Sequence, residues 1–146
     1  MLELMIVIVL IGVLLGMVSF ATGPNPARQA RQDAHGMAGL IQQLRERAVL
    51  DGEEYGLRLS DGGYRAMRLA AQGWKPVSAL HTWPVNVQLH LEQDGHPLIL
   101  GIDDGPAQLL MLSSDETSAF TLTFATPEWT LLTLSSDGLG EAVIDD

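Results

Sequence analysis

The sequence predicts an α+β protein in which a long N-terminal helix precedes an antiparallel β-sheet or sandwich domain. Three observations favour this fold class. Sixteen of the first twenty positions are hydrophobic, against 47% of the whole 146-residue chain. Apolar residues then recur with the 3.6-residue period of a helix up to about residue 50. After Gly52 the period changes to two, which is typical of half-buried strands.

The first element is an apolar segment that carries no charged residue between Leu4 and Ala27. A helix from Leu4 to Phe20 would be about 25 Å long at about 1.5 Å per residue. That length nearly crosses a bilayer core of roughly 30 Å. A cleaved signal peptide fits poorly, because no basic region precedes the segment. We therefore predict a membrane segment from Leu4 to Phe20 within a first unit, residues 1–23.

A second, amphipathic helix is predicted within residues 24–52. The stretch Gly23–Pro26 interrupts the first helix, because proline lacks a backbone donor and disfavours helix in the preceding residue. The second helix runs from about Ala27 to Leu50, and Asp51-Gly52 ends it with a glycine cap. Steps of four and three residues place its apolar residues on one face. That face consists of Ala30, Ala34, Met37, Ile41, Leu44 and Ala48.

Residues 53–146 contain seven or eight short strand patterns, separated by Gly, Pro or Asp every 8–12 residues. Asp61-Gly62-Gly63 predicts a hairpin turn between the first two strands. The predicted strands are Tyr55–Leu59, Tyr64–Leu69, Val85–Leu91, Leu98–Ile102, Leu109–Leu112, Phe120–Phe124, Thr130–Leu134 and Glu141–Ile144. We expect them to form antiparallel sheets or a sandwich packed on the second helix.

Charge is divided unequally along the chain. Residues 1–75 carry 8 basic and 7 acidic side chains, whereas residues 76–146 carry 11 acidic and no basic ones. The acidic half repels phosphate, so we expect no nucleic-acid partner and no anionic lipid bound there. The division also predicts that opposite-charge contacts between neighbouring molecules contribute to assembly.

No motif points to catalysis or to a cofactor. The chain has no cysteine, which excludes disulfides and cysteine-ligated metals, and it has no P-loop, dinucleotide or G-x-S-x-G motif. The acidic groups lack EF-hand spacing. We expect no enzymatic activity, cofactor, metal or small-molecule substrate. The four histidines lack metal-ligand spacing, so we expect His35, His81, His90 and His96 at the surface. We expect Trp74, Trp83 and Trp129 in the core, except that an exposed one would anchor a partner.

Glu3 stands directly before the apolar run, where an unpaired carboxylate costs a few kcal/mol. The run from Leu2 and Glu3 to Gly12 resembles the N terminus of type IV pilins and type II secretion pseudopilins, and Glu3 matches their glutamate. The size and β-rich C terminus resemble GspH-like minor pseudopilins most. Gly12 and Gly16 have the spacing that permits close helix packing in lipid.

The resemblance implies a non-catalytic subunit held in the bacterial inner membrane by a single-pass helix, with its globular domain in the periplasm. Such a subunit enters the pseudopilus, at its tip, and supports protein export across the outer membrane. The implied partners are other minor and major pseudopilins, through helix packing in which Glu3 pairs with a neighbour's amino terminus. Methylation is also implied.

Two alternatives stay open at this point. One is a minor pilin of a type IV pilus, and the other is a membrane-anchored periplasmic binding module or hydrolase. The sequence begins Met1-Leu2-Glu3. We therefore expect an upstream basic leader that ends in glycine and is followed by phenylalanine.

Overall fold

The computed structural model describes residues 25–146. The predictions on Glu3, Gly12, Gly16 and the segment from Leu4 to Phe20 lie outside these residues. Residues 25–146 form one α-helix and ten β-strands. These are α1 (Pro26–Asp51), β1 (Tyr55–Leu59), β2 (Gly63–Ala70), β3 (Gly73–Pro76), β4 (His81–Thr82), β5 (Gln88–Gln93), β6 (His96–Leu98), β7 (Leu109–Met111), β8 (Phe120–Ala125), β9 (Thr130–Ser136) and β10 (Val143–Asp145).

Helix α1 begins and ends at residues whose chemistry explains both limits. Asn25 is extended, and its side chain accepts a hydrogen bond from the backbone N–H of Ala27 at 3.0 Å. Pro26 occupies the first helical turn, where its missing donor costs nothing. Gly52 adopts the left-handed conformation (φ 66°) and donates to the carbonyl of Ala48. The predicted end of the second helix is thus confirmed.

The buried face of α1 is the predicted one. Its buried residues are Ala30, Ala34, Met37, Ile41, Leu44 and Ala48. Because these residues are spaced three or four positions apart, they form one stripe along the helix. The stripe contacts strands of both sheets, so α1 spans the seam between them.

The strands form two antiparallel sheets. In the first sheet the order is β3-β2-β1-β7, with β4 also paired to β2. In the second sheet the order is β10-β9-β8-β5-β6. Within residues 25–146, strand β6 therefore lies at an edge of the second sheet and pairs with β5 alone, from Leu91 opposite Leu98 to Gln93 opposite His96.

One hydrophobic core connects α1 to both sheets. The first sheet contributes Tyr55, Leu57, Leu59, Tyr64, Ala66, Leu109 and Met111, and the second contributes Leu91, Phe120, Leu122, Phe124, Leu132 and Leu134. Burying each large side chain stabilises the fold by about 1.5 to 3 kcal/mol relative to exposure. The antiparallel β part of the predicted fold class is confirmed, whereas its membrane half lies outside the described residues.

Two strand predictions are wrong in their limits. Val85 and Asn86 form a turn before β5, because Asn86 has a left-handed backbone (φ 68°) and Val87 donates to the carbonyl of Pro84 at 3.3 Å. The run from Leu98 to Ile102 is not a strand after Leu98, since β6 covers His96–Leu98 and Ile99 is 97% exposed. The short strands β3 and β4 were not predicted.

Candidate functional site

The first candidate surface is the exposed outer side of α1. The helix buries one stripe and leaves the rest to solvent, including Arg28, Gln32, His35 and Gln43. Gly39 lies on this outer side with no atom within 4 Å of the position that a Cβ would occupy. An uncovered glycine in a helix interior costs roughly 0.5 to 1 kcal/mol relative to alanine.

Four of the eight basic residues form ion pairs with the acidic second half inside the chain, and they are Arg31, Arg45, Arg58 and Arg65. Arg31 forms an ion pair with Asp146. Arg45 bonds Asp115 at 3.4 Å and the Gly140 carbonyl at 3.2 Å. These contacts fasten the C-terminal strands and loops to α1. Opposite-charge contacts between neighbouring molecules stay a prediction.

Many acidic side chains of the second half have no such partner within residues 25–146. The unpaired ones there are Glu92, Asp94, Asp104, Glu116, Glu128, Asp137, Glu141 and Asp145. The β domain therefore presents a surface with excess negative charge, which repels polyanions and attracts cationic partners.

The second surface is a cleft of about 750 Å³ beside the edge strand, which we name the β6 groove. Its floor contains Trp83 and the buried Leu91. One wall is the turn that includes Pro84 and Val87. The other wall is the end of β6 and its continuation, Leu98–Leu100. Asp61 is the one acidic residue that lines the cleft, and no lysine or arginine lines it.

Trp83 fixes the floor of the groove to the core. Its indole Nε1 donates to the Ser60 carbonyl at 2.8 Å. Its ring meets Phe124 edge-on at 6.2 Å and lies tilted against Tyr64 at 5.2 Å. Such aromatic pairs add stability beyond the area that they bury. The floor is therefore held by contacts to both sheets.

The loop between β6 and β7 is held by a carboxylate between two guanidinium groups. Arg58 Nε donates to Asp103 Oδ1 at 2.8 Å, and Arg65 donates to Oδ2. Arg58 also donates to the Gly105 carbonyl at 2.8 Å. Burial works to raise the pKa of Asp103, but the hydrogen bonds from Arg65 and Arg58 outweigh it and lower the pKa. No local sequence pattern predicts this cluster, because Asp103 lies 45 residues from Arg58 and 38 from Arg65.

A third feature is the carboxylate of Asp33 on the flank of α1. Its Oδ2 atom is buried without a hydrogen-bond partner in the described part of the chain. Burial raises the pKa of Asp33 to about 6, although the charge of His81 opposes the rise. Tyr64 stacks on His81 at 5.0 Å, and burial with the nearby Asp33 charge raises the pKa of Tyr64 to about 12. The sequence did not predict that Asp33 lies near Tyr64 and His81, because a single Asp in a helix belongs to no motif.

The four histidines and the three tryptophans lie in different environments. His35, His81, His90 and His96 are all exposed, which confirms their surface placement. Trp74 and Trp83 are half-buried, whereas Trp129 is 69% exposed and is the most exposed of the three. Residues 25–146 contain no group of three or more His, Asp or Glu side chains able to hold a metal ion. Throughout the same range, no helix has the length and apolarity that a bilayer crossing requires.

Taken together, the geometry is suited to binding. An apolar cleft with one carboxylate can hold aliphatic side chains, and the acidic rim can attract cations. The geometry of these residues offers no nucleophile–base pair and no buried polar cluster at the cleft.

Along nearly its whole length the chain is similar to a protein of a secretion system. It is 41% identical over 153 aligned residues to "Type II secretion system protein H" of Pseudomonas aeruginosa. The alignment covers 94% of this chain and 89% of that protein. No protein-family model matches the chain.

Solved structures of minor pseudopilins share the fold. The crystal structure of EpsH from the type II secretion system of Vibrio cholerae has a TM-score of 0.69 at 23% identity, covering 82% of this chain and 95% of that one. A second EpsH structure gives 0.64 at 22% identity, over 80% and 95% of the two chains. The solution structure of Escherichia coli GspH gives 0.66 at 22%, over 81% and 88%.

The solved structures establish the fold, and the curated relative establishes the family. Identity of 41% across nearly all of both chains leaves no large part of either unmatched. This chain belongs to the type II secretion system protein H family.

Proposed function

We propose that this chain is a minor pseudopilin that enters the pseudopilus of a type II secretion system, at its tip, and supports protein export across the outer membrane. The observation that carries the proposal is the 41% identity to type II secretion system protein H over 94% of the chain. The fold supports it, because one stripe of α1 anchors the β domain and the outer side stays open for neighbouring subunits. The proposed role is structural and non-catalytic.

The N-terminal region supplies the proposed anchor. Residues 1–23 form a helix that holds the chain in the inner membrane, with the membrane segment from Leu4 to Phe20. Residues 24–52 continue as the amphipathic half, and residues 53–146 form the periplasmic β domain. In the pseudopilus, Gly12 and Gly16 allow close approach of neighbouring helices, and Glu3 pairs with a neighbour's amino terminus. The partners are other minor and major pseudopilins.

Glu3 selects the register of assembly through the cost of an unpaired charge. In the apolar interior of a filament, a carboxylate without a cation is costly. A neighbouring amine removes that cost only at one relative position of the two helices. Glu3 therefore favours a single packing arrangement over the many that a uniform apolar stripe would allow.

The two alternative functions carry less support. A type IV minor pilin would share the fold, but the relative that is 41% identical carries the name of a secretion protein. A binding module or hydrolase needs a pocket of convergent carboxylates, whereas the β6 groove has Asp61 alone among its acidic lining residues. The pseudopilin proposal therefore stands as the main one.

Substitution of Glu3 in the full-length gene tests the proposal. In a strain lacking the chromosomal copy, Glu3→Ala and Glu3→Gln are each compared with the matched control Glu128→Ala, an exposed acid of the β domain. Secretion of an exported enzyme and crosslinks to other pseudopilins are measured. We expect both Glu3 variants to reduce secretion and crosslinks several-fold and the control to reduce neither. Unchanged secretion and crosslinks would count against the role of Glu3.

A further inference from the structure

Two aliphatic side chains on the loop after β6 are largely exposed to water. Ile99 is 97% exposed and Ile102 is 77% exposed, although both are large and apolar. Ile99 also lines the β6 groove, so it extends the apolar wall formed by Leu98 and Leu100. Single exposed apolar residues are ordinary, but apolar residues that continue a cleft are typical of a binding surface.

The loop that presents these side chains is held rigidly. The Asp61 N–H donates to the Gly101 carbonyl at 2.8 Å, between the two isoleucines. Two residues later, Asp103 binds Arg58 and Arg65, whose side chains are only 11% and 22% exposed. A fixed presentation lowers the entropy lost on binding, so the arrangement suits a partner contact.

Acidic side chains predominate around the groove. Asp61 and His90 line it, the exposed Glu92 and Asp94 lie at the end of β5, and Asp104 lies in the same loop as Ile102. The two nearby arginines already bind Asp103, and the sequence has no lysine or arginine after Lys75. A partner segment that brings lysine or arginine would therefore meet complementary charge, whereas an acidic segment would be repelled.

The edge strand itself is poorly suited to strand addition. β6 has three residues, and the middle one is Pro97, which has no N–H to donate. An added strand from a partner could therefore form few backbone hydrogen bonds with β6. Recognition at this edge therefore depends on side chains that enter the groove.

We propose that the β6 groove binds a segment of another protein in which aliphatic side chains stand beside lysine or arginine. The aliphatic side chains fill the cleft between Pro84 and Ile99, above Trp83. The basic side chains face Asp61 and the neighbouring acidic rim. This inference goes beyond the proposed function and does not depend on the membrane helix or on Glu3.

The test uses the full chain in nanodiscs of zwitterionic phosphatidylcholine, which do not attract basic peptides by charge. The probe is a fluorescein-labelled peptide of alternating leucine and lysine, and its matched partner has glutamate for every lysine. Binding is followed by fluorescence anisotropy, with methyl NMR of the isoleucines to locate the contact. Ile99→Ser removes the groove wall, and Leu139→Ser is the control, because Leu139 is 88% exposed and does not line the groove. Asp61→Asn removes one charge.

We expect the lysine peptide to bind and to shift the methyl signals of Ile99 and Ile102 but not of the buried Ile41. Ile99→Ser should weaken binding about tenfold, as truncation of a buried anchor does, and Leu139→Ser should leave it within about twofold. Asp61→Asn should reduce the salt dependence of binding. Equal affinity for both peptides, unchanged affinity in Ile99→Ser, or absence of binding would overturn the proposal. The secretion assay on Glu3 is a separate measurement, so each proposal can fail alone.

Discussion

Arg58 Nε donates a hydrogen bond of 2.8 Å to Asp103 Oδ1 and so fastens the connection between the two sheets to the first sheet. Arg58 lies in β1 of the first sheet, and Asp103 lies in the connection that leaves β6 of the second sheet and enters β7 of the first. Arg65 of β2 binds the same carboxylate from the neighbouring strand. One acid thus neutralises two cations opposite each other, Arg58 and Arg65, whose repulsion would otherwise weaken the strand pair.

Removal of this carboxylate should destabilise the fold. Asp103→Ala leaves two partly buried arginines beside each other, and we expect the free energy of unfolding to fall by about 1 to 3 kcal/mol. Urea unfolding followed by circular dichroism measures the change. Glu128→Ala is the matched control, because Glu128 is exposed and forms no ion pair within the described residues. A loss no larger than that of the control would contradict the role assigned to Asp103.

The same ion pairs predict a pH dependence with a definite sign. The pKa of folded Asp103 lies below its ordinary value of 3.8. The stability from its charge is therefore fully present above that value and is lost as the pH falls through the lowered pKa. The difference in stability between the wild type and Asp103→Ala should be constant from pH 5 to 7 and shrink below about pH 4. If the stability difference between the wild type and Asp103→Ala stayed constant below pH 4, the charge of Asp103 could not be its cause.

Gly63 at the start of β2 should not tolerate a side chain. A Cβ there would overlap the carbonyl oxygen of His81 and lie 2.9 Å from its carbonyl carbon, in the strand β4 that pairs with β2. Because both neighbours are backbone, we expect Gly63→Ala to cost about 1 to 3 kcal/mol and to move β4. Gly39→Ala is the contrast, since open space at this helical position predicts a gain of about 0.5 to 1 kcal/mol. Thermal unfolding of both variants checks the opposite signs.

Local patterns predicted the elements whose burial follows a period. The six buried residues of α1 were predicted without exception, because a single face against a core enforces the 3.6-residue repeat. β8 shows the same agreement, as Phe120, Leu122 and Phe124 alternate inward. The signal is local in both cases, so no knowledge of the tertiary fold was needed.

The predictions were wrong where apolar side chains are exposed to water. Leu98–Ile102 is an apolar run, yet Ile99 and Ile102 are exposed to water. Residues outside the run hold the loop in place, because Asp61 binds Gly101 and Arg58 binds Asp103. Pro97 just before it was the local signal that this run could not be a central strand. The contact between Asp103 and Arg65 had no local signal at all, because it depends on the pairing of β1 with β2 and β7.

Asp33 should lower stability at neutral pH. Burial raises its folded pKa to about 6 from the ordinary 3.8, so the native state binds this proton more tightly than the unfolded state. The resulting stability is fully present below about pH 4 and is lost as the pH rises through about 6. Asp33→Asn carries no charge, so its free energy of unfolding should exceed that of the wild type by about 1 to 2 kcal/mol at pH 8. Thermal unfolding at pH 4, 6 and 8 measures this difference, and Asp61→Asn, at an exposed position, is the control. If the stability of Asp33→Asn and of the wild type changed with pH in the same way, the prediction would be wrong.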